Sequence, residues 1–278
     1  SAPPAIPSVN AKFNLNKQLD LRFAYAYGFR SPALRELYFY YVDVNHNIVG
    51  NPNLKAENSN NFSAALHWTA VPKNDITYNA SLTAFYNVFN NQIDFALASA
   101  TSNQYTYFNV NKAKTTGANF ENRMSWKKID AAFGLSYIGY YRKQYDDKDY
   151  TKIDNKDFLW SPELNADISY NAAALNTKFN VLYKYTGKKP QYVYGTNSSN
   201  QSVLYIANIS SFNWADFTAT TTVNKNVTVS AGVKNIFDVN NINNTATSSG
   251  SIHSGAGPVP VSYGRSYFIG LNFQWNKK

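Results

Sequence analysis

The sequence predicts an all-β fold, a transmembrane antiparallel β-barrel to which this chain contributes about eleven strands. Three observations lead there. Apolar and polar side chains alternate over stretches of ten or more residues, short and long connections take turns along the chain, and no apolar run approaches the ~18 residues of a membrane-spanning helix. Among the 278 residues, 22 Tyr, 18 Phe and 5 Trp stand beside 38 Asn, and the mean hydropathy is −0.42. Such a chain is too aromatic for a disordered tail and has too little Gly and Pro for a collagen-like or low-complexity class. Cysteine is absent, which excludes a disulfide framework, thiolate metal sites and thiol catalysis.

Taken in order, the first strand is expected at 9–15. The second divides into Leu21, Phe23, Tyr25, Tyr27 and Phe29 on one face and Arg22, Ala24, Ala26 and Gly28 on the other. The same division recurs in Phe62, Ala64, Leu66 and Trp68, and in Ile76, Tyr78, Ala80, Leu82, Ala84 and Tyr86 against Thr77, Asn79, Ser81 and Thr83. It returns in Phe179, Val181, Tyr183 and Tyr185. A last strand is expected over 261–275, with Val261, Tyr263, Tyr267, Ile269, Leu271, Phe273 and Trp275 on its apolar face. Short connections centre near Asn16-Lys17, Pro72-Lys73, Lys127-Lys128, Ala172-Ala173 and Lys225-Asn226, and long ones occupy about 30–56, 97–104, 145–158, 195–207 and 238–260.

Strands twice the usual five or six residues argue against a soluble β-sandwich, and short turns on one side with long loops on the other are the pattern of an outer-membrane barrel. Eleven is an odd count, whereas bacterial single-chain barrels close with an even one, and an open sheet in lipid leaves unpaired backbone groups at both edges. The chain is therefore expected to be incomplete alone, with residues 1–8 as the remnant of a long extracellular loop and 9–278 as barrel. No signal peptide opens the sequence. A passive porin or small self-contained barrel is the alternative if the count is wrong.

The net charge of +9 comes from scattered lysines and arginines, with no motif for nucleic acid, so none is expected as a partner. Enzymatic motifs are missing too, and three histidines must serve every base or metal role, so no catalysis is expected.

Several boxes resemble the barrel of TonB-dependent outer-membrane receptors. Gly28-Phe29-Arg30-Ser31-Pro32-Ala33-Leu34-Arg35-Glu36-Leu37-Tyr38 and Gly50-Asn51-Pro52-Asn53-Leu54-Lys55-Ala56-Glu57 look like that family's "FRAP" and "NPNL" pair. Tyr86-Asn87-Val88-Phe89-Asn90-Asn91-Gln92-Ile93, Gly232-Val233-Lys234-Asn235-Ile236-Phe237-Asp238 and Gly264-Arg265-Ser266-Tyr267-Phe268 follow in the family's order. The resemblance spans residues 20 to 275. It implies a barrel of about 22 strands around a plug, of which this chain is the C-terminal half, in the bacterial outer membrane. It also implies partners: the N-terminal half with its plug, the TonB-ExbB-ExbD complex that grips the plug, membrane lipid, and room for an accessory surface lipoprotein. The family usually ends on an aromatic residue, whereas Trp275 is followed by Asn276-Lys277-Lys278.

By that resemblance the function is import of a scarce nutrient, a ferric siderophore or haem, carried as ligand with no intrinsic cofactor. The loop from Arg30 to Glu57 offers Arg30, Arg35, Tyr38, Tyr40, Tyr41 and His46 as ligand-binding residues, cations and aromatic rings that suit an anionic chelate. His46 lies between the two boxes, where haem receptors of the family carry an iron ligand, so the resemblance makes it the candidate metal ligand. His253, in the last long loop, is a further candidate. His67, beside Leu66 and Trp68, is expected to face the lumen. Asp146, Asp147, Asp149, Asp154 and Asp157 lack the glycine and terminal glutamate of a calcium loop and alternate with lysines, which reads as a solvated loop.

Overall fold

A computed structural model describes residues 5–44, 46–98, 104–143, 158–196, 202–245 and 257–275. Its elements are β1 (Ser8–Asn14), β2 (Leu19–Arg30), the one-turn helix α1 (Leu34–Tyr38), β3 (Tyr40–Val42), β4 (Asn47–Val49), β5 (Glu57–Thr69), β6 (Ile76–Leu97), β7 (Tyr105–Trp126), β8 (Ile129–Lys143) and β9 (Leu159–Ala172). After a 3-10 turn at Ala173–Leu175 come β10 (Thr177–Thr186), β11 (Lys189–Thr196), β12 (Ser202–Ile209), β13 (Phe212–Asn224), β14 (Val227–Lys234), β15 (Asn241–Asn244), β16 (Gly257–Pro260) and β17 (Ser266–Phe273).

Eleven of these form one continuous path, β1-β2-β5-β6-β7-β8-β9-β10-β13-β14-β17, each antiparallel to the next. Among the described residues β1 and β17 each have one neighbour, so the sheet is an arc with two open edges. The helix α1 and the strands outside the path all lie in the long connections. There β3 pairs with β4, β4 adds in parallel to β7, and β11-β12-β15-β16 make a second, four-stranded sheet.

All five predicted short connections close adjacent strands, and asparagines do much of the closing. The Asn16 carboxamide accepts the amides of Gln18 (2.8 Å) and Leu19 (3.0 Å), and Asn224 does the same for Asn226 (2.9 Å) and Val227 (3.1 Å). Between β5 and β6 the apex is Asn74-Asp75, two residues beyond the expected Pro72-Lys73. Both carry positive φ, 51° and 62°, and Lys73 and Ile76 exchange backbone hydrogen bonds around them, the twist that suits a two-residue hairpin.

Register shows the two faces of the arc. One row runs Phe23, Ala64, Ala84, Ala118, Tyr137, Pro162, and the row beside it, Leu21, Leu66, Leu82, Phe120, Leu135, Leu164, Tyr185, is equally apolar. The opposite face is mostly polar, as in the row Asp20, His67, Ser81, Glu121, Gly134, Asn165, Lys184. His67 therefore lies on the polar face, as its alternation predicts.

Among the described residues no second layer covers the apolar face. Buried apolar residues among those described are Ala113, Ala207, Ala215 and Ile242, whereas Ile269 and Leu271 are 80% and 73% exposed. Each large apolar side chain left in water forgoes about 1.5–3 kcal/mol, so a face this wide requires an apolar solvent or a partner. A soluble sandwich, whose inner faces cover one another, does not have this anatomy.

The last strand is shorter than its alternation predicts. Val261 and Tyr263 keep the right parity but lie outside β17, because their segment is tied to the end of β14. Ser262 Oγ accepts hydrogen bonds from Asn235 Nδ2 (3.1 Å) and the Gly264 amide (2.9 Å), and Asp238 Oδ1 accepts the Arg265 amide at 2.7 Å. Gly264 has φ +89°, a conformation that ends the extended run and that L side chains rarely adopt. The regions expected as long loops at 195–207 and 238–260 also contain strand residues, those of β11, β12, β15 and β16. The 145–158 loop lies outside the described residues except for 158, and its five aspartates lie wholly outside.

Candidate functional site

The strand β2 ends where Pro32, which has no amide to donate, prevents the ladder from continuing. The chain then turns into α1, whose Glu36 reaches back to accept the Ala33 amide at 2.7 Å, half of a capping box. The same carboxylate meets Arg30, whose Nη1 donates to Glu36 Oε1 and Oε2 at 3.0 and 2.9 Å. Arg30 Nε donates to Glu57 Oε2 at 2.6 Å, and Glu57 Oε1 accepts the Ile93 amide. One guanidinium thus joins the end of β2, the helix and the start of β5, in the fork geometry that arginine provides and lysine does not.

The electrostatics of the helix carboxylate follow from this contact. Partial burial pushes Glu36 up, and hydrogen bonds from the Arg30 guanidinium and the Ala33 amide outweigh it, holding the group below the ordinary 4.5.

The return segment folds onto the helix. Gly50 donates to Phe39 O at 2.6 Å and Asn51 to Glu36 O at 2.8 Å. A Cβ at Gly50 would lie 2.7 Å from the Leu37 carbonyl and the Tyr38 nitrogen, so only glycine permits the approach. The segment is also pinned to the hairpin of β6 and β7. Asn51 Nδ2 donates to Tyr107 O (2.9 Å), Asn109 Oδ1 accepts the Lys55 amide (2.8 Å), and Asn109 Nδ2 donates to Lys55 O (2.9 Å) and Asn91 O (2.7 Å).

Between the braced ends the chain presents aromatic rings to solvent. Tyr38 and Tyr40 are 67% and 75% exposed, and Tyr41 is also exposed. The Arg35 guanidinium lies 4.9 Å from the Phe39 ring centroid, and Phe39 neighbours Tyr41 at 6.2 Å. Tyr41 in turn is 5.1 Å from the imidazole of His46. Asp43 organises this end: its carboxylate meets His46 Nδ1 at 3.0 and 3.1 Å and accepts the His46 amide at 2.6 Å. Hydrogen bonding to Asp43, with its negative charge, pushes the Tyr41 phenol up.

The structure therefore brings Arg35, Tyr41 and His46 together through Phe39 and Asp43, two residues that sequence reasoning did not single out as ligands. Tyr38 and Tyr40 stand beside them on the same loop. Arg30 lies beneath as the brace, its side chain still 44% exposed. His253, with Ser251 and Ser254, lies outside the described residues. The signal that pairs Asp43 with His46 was available as an i, i+3 spacing, but nothing in the periodicity pairs Arg30 with Glu36 and Glu57.

Comparison with known proteins accords with this geometry. A sequence model described as "TonB dependent receptor-like, beta-barrel" matches residues 4–236. The iron-regulated outer membrane virulence protein of Vibrio cholerae is 28% identical over 247 residues, which are 84% of this chain and 35% of that protein. The fold superposes on the ferric enterobactin receptor of Pseudomonas aeruginosa in complex with enterobactin, with a TM-score of 0.66 and 22% identity over 96% of this chain and 40% of that one. It also superposes on the pyoverdine outer membrane receptor of Pseudomonas aeruginosa bound to pyoverdine, with a TM-score of 0.65 and 18% identity over 97% of this chain and 36% of that one. The chain thus spans little more than a third of the relatives it matches. It belongs to the TonB-dependent receptor family of the bacterial outer membrane, and its eleven-strand arc is part of that family's transmembrane β-barrel.

Proposed function

We propose that this chain is the C-terminal half of a receptor that captures an anionic ferric siderophore at its long-loop rim and passes it inward. Residues 9–278 would supply half the barrel wall, and 1–8 the end of an extracellular loop. A plug and the remaining strands would come from the N-terminal half, and the TonB-ExbB-ExbD complex would supply energy through that plug. One observation carries the reading: a loop pinned at both ends presents Arg35, Tyr38, Tyr40 and Tyr41 toward solvent, at the end of the arc where the connections are long. Exposed rings and a cation on a fixed scaffold suit a ligand with aromatic chelating groups and negative charge, at low ordering cost.

Haem is the second reading, and a separate observation favours it. With the Asp43 carboxylate 3.0 and 3.1 Å from Nδ1, the His46 ring is oriented as a carboxylate orients a metal-binding histidine.

Titration of the full-length receptor with ferric enterobactin, ferric pyoverdine and haem tests both. Replacing Arg35, Tyr38, Tyr40 and Tyr41 together with alanine should weaken siderophore binding at least tenfold at unchanged barrel yield. Unchanged affinity would remove the loop from the site. A His46→Ala variant that loses haem and retains siderophores would move the haem reading to the front.

A further inference from the structure

The polar face of the arc suits a lumen and the loop 31–56 suits the mouth, but the apolar face carries a feature that neither role uses. On the paired strands below Asn91, where φ turns positive at 53°, the charged positions of apolar-face parity are Lys112, Lys114 and Lys143, all on the neighbouring strands β7 and β8. Lys112 and Lys114 lie on the same face of β7, two like charges one strand repeat apart. Lys114 stands two residues along β7, its ammonium 5.4 Å from the Tyr141 ring centroid and 5.9 Å from that of Tyr86. Two aromatic faces thus hold the stem against the sheet. Among the described residues neither Lys112 nor Lys114 has a carboxylate within ion-pair distance.

The position of these lysines along the strand is informative. From Lys114 to Trp126, at the short-turn end of β7, is 126 − 114 = 12 residues, about 40 Å of strand, or about 28 Å along the membrane normal at a tilt of about 45°. That is close to the height of about 25 Å of the apolar band on an outer-membrane barrel. If Trp126 marks the inner interface, Lys114 lies at the outer one, level with lipid headgroups.

Directly below, the next row of the register pairs Tyr86 with Thr116 and with Phe62. Here the apolar face dips. Phe23, Phe62 and Tyr86 wall a depression of about 480 Å³ whose floor is Ala11, Ala64 and Ala84. We propose that the lysines and the depression are two halves of one binding site for an anionic, phosphorylated membrane lipid. The phosphate sits against Lys112 and Lys114, and one acyl chain lies over the alanine floor. Charge complementarity and continuity with the lipid-facing surface select this occupant over a protein partner, which would have to displace lipid from both.

The test uses the full-length receptor in mild detergent, with phosphatidylglycerol, phosphatidylcholine and inorganic phosphate as probes. Retention is read by native mass spectrometry, and heat-modifiable gel mobility checks that the barrel is folded. Phosphatidylglycerol should be retained at least tenfold more tightly than phosphatidylcholine, and inorganic phosphate should not be retained, because only the anionic lipid engages both halves. The double variant Lys112→Gln, Lys114→Gln should weaken phosphatidylglycerol by about 20- to 30-fold, the effect of two lysine charges at a membrane surface. Ala84→Phe, which fills the floor and leaves the lysines in place, should weaken it too, and it carries the test if the double variant does not fold. Equal retention of the two phospholipids, or undiminished binding by either variant, would overturn the site. Retention of inorganic phosphate as tight as that of lipid would overturn the lipid assignment.

Discussion

Replacing Arg30 with alanine removes a group that joins β2, α1 and β5. Glu36 and Glu57, whose side chains are 17% and 22% exposed, would then keep their charges without their partner. An exposed pair contributes about 0–1 kcal/mol, and stripping a fully buried one costs about 3–5 kcal/mol. Carboxylates this sheltered, facing an arginine that is 44% exposed, fall between, at about 2–3 kcal/mol for the loop. That corresponds to an increase in local opening of about 30- to 150-fold. Hydrogen–deuterium exchange of the full-length receptor reads it directly at the Gly50 and Asn51 amides, which donate to Phe39 O and Glu36 O. Amides of β5 between Phe62 and Leu66, held in the ladder with β6, serve as the unaffected reference. Arg30→Lys should fall between wild type and alanine, since an ammonium keeps the charge but not the fork. Wild-type exchange at Gly50 and Asn51 in the alanine variant would show that the pins to β6 and β7 hold the loop, and the brace would have to be abandoned.

Three further perturbations probe other levels of the structure. Leu271→Arg, on the most exposed part of the apolar face, should cost about 2–4 kcal/mol for folding into bilayers if Leu271 sits near the midplane, and a neutral effect there would reverse the assignment of the two faces. Gly50→Ala forces a Cβ onto the backbone of Leu37 and Tyr38, so ligand binding should weaken while barrel yield is unchanged; normal binding would mean that the loop geometry is not needed. Acid should also loosen the loop. Glu36 has a folded value depressed below the ordinary 4.5, so its contribution is complete above that value and is lost as the pH falls through the folded one. A spin label at the fully exposed Val44 should gain mobility below about pH 4.5 in the wild type and should lack that transition in Glu36→Gln.

The legibility of the fold has a physical cause. A sheet in lipid has one apolar and one polar face everywhere, so the period of two recurs in strand after strand of the path, from Phe23 in β2 to Phe273 in β17, and the alternation of short and long connections fixes the direction of each strand. Parity says nothing about where pairing stops, however. Val261 and Tyr263 alternate correctly with Ser262 and Gly264, yet hydrogen bonds from Asn235 and to Asp238 draw the segment out of the ladder. The strands β11, β12, β15 and β16 were missed for a related reason. Beyond the membrane both faces of a hairpin meet water, and the alternation that lipid imposes is no longer required.

The boxes that carry the family resemblance turn out to be the parts that hold the rim together. Gly28 to Tyr38 and Gly50 to Glu57 fold on one another through Arg30, Glu36, Glu57 and the close approach at Gly50. Asn235, 1% exposed, and Asp238 tie the end of β14 to Ser262 and Arg265, and the Arg265 guanidinium returns two hydrogen bonds to Ile236 O. Side chains committed to such contacts are poor candidates for discriminating between ligands, because displacing them opens the rim itself. Discrimination therefore falls to the residues strung between the braces, from Tyr38 to His46, whose rings and charges face solvent or one another. Exchanging that segment between two receptors of the family, with both boxes left in place, should transfer ligand preference while the barrel folds normally. If preference stays with the parent instead, the specificity lies deeper in the lumen, and the exposed tyrosines serve only to gather ligand.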